Sequence, residues 1–173
     1  MTVNNLLFNE YNAYYQRYLD QIDETTGLVS GLKKGKKRTT QFFDSIPEDK
    51  LLYRYAEEKW TPKEVLQHLI DTERVFAYRA FRIGRGDVTA LANFDQDIYI
   101  EPSGANEKSR IELLEEYDLV RRHTISLVKS LSDKNLMNIG VASNHPISAR
   151  AAAFINIGHE MWHIKIIKER YLV

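Results

Sequence analysis

The stretch Thr61-Pro62-Lys63-Glu64-Val65-Leu66-Gln67-His68-Leu69 decides how the rest of the chain is read. Thr61 is an N-cap residue, Pro62 takes the first helical position, and Glu64 can reach back to the cap. Val65, Leu66, Leu69, Phe76 and Ala80 then recur at helical spacing, and Gly84 and Gly86 stop the pattern. This predicts a helix over 62–83. Ser109, with Glu112 three residues on, opens a second capped helix over 109–131 through Leu113, Tyr117, Val120 and Val128. A helix over 26–46 carries Leu28, Leu32, Phe42, Phe43 and Ile46, with Gly31 and Gly35 each weakening it by up to ~1 kcal/mol. The last helix, over 147–170, is apolar almost all round between Ala151 and Ile157, which suits a well-covered position. Upstream, Tyr11, Tyr14, Tyr15 and Tyr18 share one face of a short helix, either to pack on the body or to stack a ligand.

No stretch reads as a strand. The expectation is an all-α four-helix bundle, one domain across 1–173, with a short N-terminal helix and a long crossover loop. That loop, Gly84 to Asn106, has no sustained period; its Phe94, Ile98 and Tyr99 predict that it packs, over one end of the bundle.

Composition limits the function classes. The 173 residues carry 24 basic and 24 acidic side chains, which argues against nucleic-acid binding by global basicity. The run Lys33, Lys34, Lys36, Lys37, Arg38 reads as a solvated helix face. With no Cys there is no disulfide framework, thiolate metal site or protein thiol nucleophile. No apolar run approaches a membrane span and no signal peptide is apparent, so a cytoplasmic location is expected.

The chemistry concentrates in Gly158-His159-Glu160-Met161-Trp162-His163. Residues four apart on a helix are neighbours on one face, so His159 and His163 can chelate one divalent ion. They share a stripe with Ser148, Ala152, Ile155 and Ile166, where an unpaired polar group is costly. The string also matches the H-E-x-x-H zincin signature, in which the Glu is the base. Ile166 and Glu169, however, stand where metzincins place Gly and His, so a third His has to come from upstream. His145 sits in a loop and His123 lies beside Arg121 and Arg122 on a face that looks solvated. His68 lies at the edge of the apolar face of helix 62–83, in line with Thr72, Val75 and Arg79, and suits donation across a bundle core.

These residues resemble the DinB-like (YfiT-like) family of metalloenzymes, distinct from the DNA polymerase that shares part of the name. The resemblance runs from about Leu51 to Tyr171. It rests on Lys59-Trp60-Thr61-Pro62 through Gln67-His68 to Glu73-Arg74, on Tyr78-Arg79-Ala80, on Asn93-Phe94-Asp95-Gln96-Asp97 and on Gly158 to His163. It implies a four-helix bundle, often paired into a homodimer, in which His68, His159 and His163 bind a divalent metal. Family members often carry a second His where Trp162 stands, but the spacing of four is intact.

Imidazole ligands accept zinc, nickel and iron alike, and three of them leave a position for water or substrate. Glu160 and Asp71 are candidates for a general base or an outer partner. Arg79 is a candidate for an anionic substrate group, or for an ion pair with Asp95 or Asp97. The implied activity is that of a metal-dependent hydrolase, or of an S-transferase whose small-molecule substrate meets a low-molecular-weight thiol. The alternative is a non-catalytic, metal-braced bundle with a binding or stress-related role.

Overall fold

Both capping boxes form. In a computed structural model describing residues 1–172, the Thr61 hydroxyl accepts from the Glu64 amide at 3.1 Å, and the Glu64 carboxylate accepts from the Thr61 amide at 2.7 Å. Ser109 and Glu112 repeat the exchange at 3.2 and 2.7 Å. These caps start α2 (Pro62–Gly84) and α3 (Arg110–Ser130); α1 (Leu28–Asp44) and α4 (Ala149–Arg170) complete the bundle. All four lie within two or three residues of the spans expected from the sequence. None of the described helices is long and apolar enough to cross a membrane.

Contacts along the helices give their directions. Gln67 meets Lys108 at one end, Glu73 meets Arg121 in the middle, and Gly84 abuts Leu131 at the other, so α2 and α3 run parallel. The Tyr171 hydroxyl donates to the Trp60 carbonyl at 2.7 Å, which sets α4 antiparallel to α2. Gly31 faces Ile157 and Gly35 faces Glu160, so α1 is parallel to α4.

Parallel neighbours need a connection that retraces a whole helix, here 23 residues or about 34 Å. That requirement corrects the expected path of the crossover. It does not sit over one end but returns along the bundle to the cap of α2, where Asn106 accepts from the Thr61 hydroxyl at 2.6 Å and donates to Glu64 at 2.8 Å. On the way Leu91 pairs with the backbone of Val141 and Ser143, at 2.9 and 3.1 Å.

That pairing involves a second correction, a β-hairpin where no strand was expected. β1 (Ile139–Ala142) and β2 (His145–Ser148) are antiparallel, with Ala142 opposite His145. The two-residue turn places Ser143 and Asn144 at φ of 52° and 64°, the left-handed pair that hairpin twist favours. The hairpin takes residues 147 and 148 from the expected helix, and α4 starts where the Ser148 hydroxyl accepts from the Ala151 amide. The N-terminal aromatic helix is also shorter than expected. Only Gln16–Leu19 is α-helical, preceded by 3₁₀ turns, one of them Ala13–Tyr15.

Two apolar clusters fill the bundle. One gathers Leu28, Leu32, Phe76, Ile83, Val128 and, from α4, Ala149, Ala151 to Ile155 and Ile157. The other gathers Phe43, Val65, Ile70, Leu113, Tyr117, Ile164 and Ile167. Between them, every helix contributes polar side chains to one buried layer: Thr39, His68, Thr72, Glu73, Arg121, Thr124, His159, Glu160 and His163. The candidate site is one side of that layer.

Candidate metal centre

Helical spacing puts His159 and His163 on one face of α4, and the α2–α4 pairing brings His68 to them. The Nε2 of His159 lies 3.0 Å from the Nε2 of both His68 and His163. All three rings are buried, and one nitrogen from each falls within 4.8 Å of the others. The Thr72 hydroxyl stands 3.4 Å from His68 Nδ1, one turn along α2. The Tyr18 ring packs edge-on to His159 with centroids 5.0 Å apart, and Trp60 lies 4.7 Å from the ring of His68.

Burial pushes the pKa of His68 down to about 4. It drives His159 and His163 well below the ordinary imidazole value, helped by the neighbouring rings. The trio is therefore neutral near pH 7, with lone pairs available. A ring nitrogen has a single in-plane lone pair, so His159 Nε2 cannot satisfy two neighbours at 3.0 Å by hydrogen bonding. Bonds of about 2.0–2.2 Å to a common ion place ligand nitrogens roughly 3.0–3.5 Å apart. The residues present fit a divalent cation.

The other sequence candidates separate. Glu160 points into a different contact set: its carboxylate accepts from Arg121 at 2.7 Å, Tyr117 at 2.8 Å and Arg38 at 2.8 Å. Its carboxylate is thus taken up by Arg121, Tyr117 and Arg38. Asp71 accepts from Arg74 at 2.8 Å and Gln67 at 3.1 Å, on a surface depression apart from the His trio. Arg79 is buried and lines the same cavity as His159, a space of about 650 Å³. Of the four tyrosines, Tyr11 and Tyr18 are buried and Tyr15 packs on the body, while Tyr14 is exposed; Tyr14, Tyr15 and Tyr18 line that cavity. Its rim includes His145, while His123 is exposed on α3.

His123 and Arg122 are exposed as expected, but Arg121 beside them is not. It is 1% exposed and donates to both Glu73 oxygens, at 2.7 and 2.8 Å, as well as to Glu160. Burial pulls its pKa down, but Glu160 and Glu73 more than offset this and hold it well above the ordinary guanidinium value. A signal was present: Arg121 is four residues after Tyr117 and seven before Val128, on the inner stripe of α3. Arg38 likewise leaves the solvated run to meet Glu160. Gly35 makes room for this, because a Cβ there would sit 2.0 Å from the Glu160 carboxylate.

A buried tris-imidazole cluster inside a four-helix bundle, beside a roomy cavity, defines a class of candidate metalloprotein. The profile of the DinB superfamily matches residues 32–167, and the chain belongs to that superfamily. No curated protein matches the sequence. Among solved structures the fold is similar to YfiT from Bacillus subtilis, described as a probable metal-dependent hydrolase with an unusual four-helix bundle topology. The TM-score is 0.74 at 16% identity, covering 94% of this chain and 92% of that one.

Proposed function

We propose that this protein is a divalent-metal-dependent enzyme acting on a small molecule, either as a hydrolase or as an S-transferase that uses a small thiol. The observation that carries the reading is the convergence of three buried, neutral imidazoles beside a cavity of about 650 Å³. The description of YfiT as a probable metal-dependent hydrolase supports it by analogy of fold. His68, His159 and His163 would hold zinc, nickel or iron. A divalent ion bound there supplies a Lewis acid that acidifies a bound water or thiol and polarises a carbonyl.

The protein's own part is positioning. Thr72 steadies the His68 ring, Tyr18 and Trp60 shield the imidazoles, and the cavity offers a substrate both aromatic and polar walls. The absence of cysteine suits a transferase whose nucleophile arrives with the cosubstrate. The second reading, a metal that merely braces α2 to α4, is favoured by the ligands coming from two helices. The cavity beside His159 weighs against it, since a purely structural ion is enclosed by protein ligands.

The test is to titrate metal-free protein with zinc, nickel and ferrous iron, then assay esters, amides and thiol–acceptor pairs with and without chelator. One ion per chain and chelator-sensitive turnover are expected. His159→Ala and His163→Ala should each weaken binding by more than the roughly 10–100-fold that loss of an outer hydrogen-bond partner costs, and abolish turnover. Tight binding without any turnover would favour the brace.

A further inference from the structure

The cavity beside His159 holds a positive charge that nothing in the described protein neutralises. Arg79 is 1% exposed, yet its guanidinium meets only neutral groups: Nη2 donates to the Ala92 carbonyl at 3.2 Å and to the Ser143 hydroxyl at 2.8 Å. Its Nε is buried with no hydrogen-bond partner. The rings of Phe76 and Phe94 flank it, 5.0 and 5.4 Å from Cζ to centroid. The other two buried arginines among the described residues are each paired with carboxylates, Arg121 with Glu73 and Glu160, and Arg150 with Glu10. Asp95 and Asp97 line the cavity but stay exposed at its rim, and the ion pair the sequence allowed between them and Arg79 does not form. A buried cation without a counter-ion is costly to keep, and an anionic ligand would supply what is missing.

The helix sets where that anion would sit. Arg79 is eleven residues beyond His68 on α2, an axial rise of about 16 Å. Helical side chains lean toward the N-terminus, and the Arg79 guanidinium reaches back over Phe76, about one turn in the direction of the imidazoles. Thr72 and Phe76 form the floor between, and Tyr15 packs edge-on to Phe76 with centroids 5.6 Å apart.

We propose that the substrate is an elongated small molecule with a carboxylate or phosphate at one end, seated on Arg79. Its flat or apolar middle lies against Phe76 and Tyr15, and its reacting group stands at His68, His159 and His163. This rests on the metal-dependent reading above, and adds that the substrate class is anionic, with charge and reacting centre at opposite ends.

The experiment measures calorimetric binding of hydrocinnamate, phenethyl phosphate and the neutral hydrocinnamyl alcohol, to metal-free and to zinc-loaded protein. At least one anion should bind about 10-fold or more tighter than the alcohol in both forms, and the tighter of the two names the headgroup. Arg79→Gln should erase the preference while leaving zinc affinity unchanged, and Arg79→Lys should keep part of it. In the unaltered protein the Arg79 Nε–H resonance should move on saturation with the anion, a readout that needs no variant to fold. Equal binding of acid and alcohol, an unmoved Nε–H resonance, or a preference that survives Arg79→Gln would overturn the proposal. Zinc binding without an anion preference overturns this proposal alone; an anion preference without zinc binding upholds the anion site and overturns the metal reading.

Discussion

The polar layer across the bundle contains two buried groups that solve opposite problems. Every guanidinium nitrogen of Arg121 has a partner inside the protein, two carboxylates and the Leu32 carbonyl at 3.2 Å, and the Tyr117 phenol completes the Glu160 side; what stays unpartnered there is peripheral, at Arg38 Nε and Thr39 Oγ1. Around His68, His159 and His163, lone pairs converge on one another, and nearby Arg79 keeps an unpartnered donor. The two groups share helices and even sequence neighbours, since His159 and Glu160 are adjacent. Turning 100° about α4 separates a side chain that belongs to a closed network from one that needs something from outside. Closure is the physical difference between a buried polar group that holds a fold and one that is held ready for a ligand.

The largest effect should come from breaking the closed side. Arg121→Met leaves Glu73 and Glu160 buried without their common partner, and should cost about 3–5 kcal/mol in urea denaturation. A loss below about 1 kcal/mol would show that the network is not the structural centre its geometry describes.

The open side should reveal itself through pH. In metal-free protein His68 titrates at about 4 when folded and near 6.5 when unfolded. Below 6.5 the unfolded chain therefore takes up the proton first. Stability should be full above that value and fall as pH drops toward 4, by roughly 3 kcal/mol from His68 alone. His159 and His163 act in the same direction. Glu10 is also buried, but Arg150 holds its carboxyl below the ordinary value, so its contribution is lost only at lower pH. Thermal denaturation between pH 7 and 5 reads the imidazoles; a flat profile would contradict their burial as neutral groups.

The smallest effect tests the boundary between the two sides. Glu160→Gln keeps the shape of the side chain but removes its charge, and should cost about 1–3 kcal/mol, with zinc affinity and turnover held within about 10-fold. A 100-fold fall in turnover with the metal retained would move Glu160 across the boundary, as a proton-transfer group.

Much of this was legible in the chain. Thr61 with Glu64, Ser109 with Glu112, and the apolar periodicities placed four helices, because capping and amphipathic spacing are local properties. The His159–His163 pair was legible for the same reason; His68 stood at a suitable edge of an apolar face, and the family resemblance joined it to the pair. The Ser143–Asn144 turn was a weaker local signal: a four-residue strand on either side is too short to show a period.

What only the tertiary structure decided is direction and pairing. Whether the crossover returned along α2 depended on α2 and α3 running parallel, which no local pattern encodes. Helical spacing put Arg121 on the inner stripe of α3, but only the helix pairing set Glu73 and Glu160 around it and turned Glu160 away from the imidazoles. That pairing also left Arg79 in the cavity wall without a carboxylate. Helix spacing says which residues share a face, but the partner of that face is a contact between distant segments, and the charge of that partner determines whether a buried group is satisfied or waiting for a ligand.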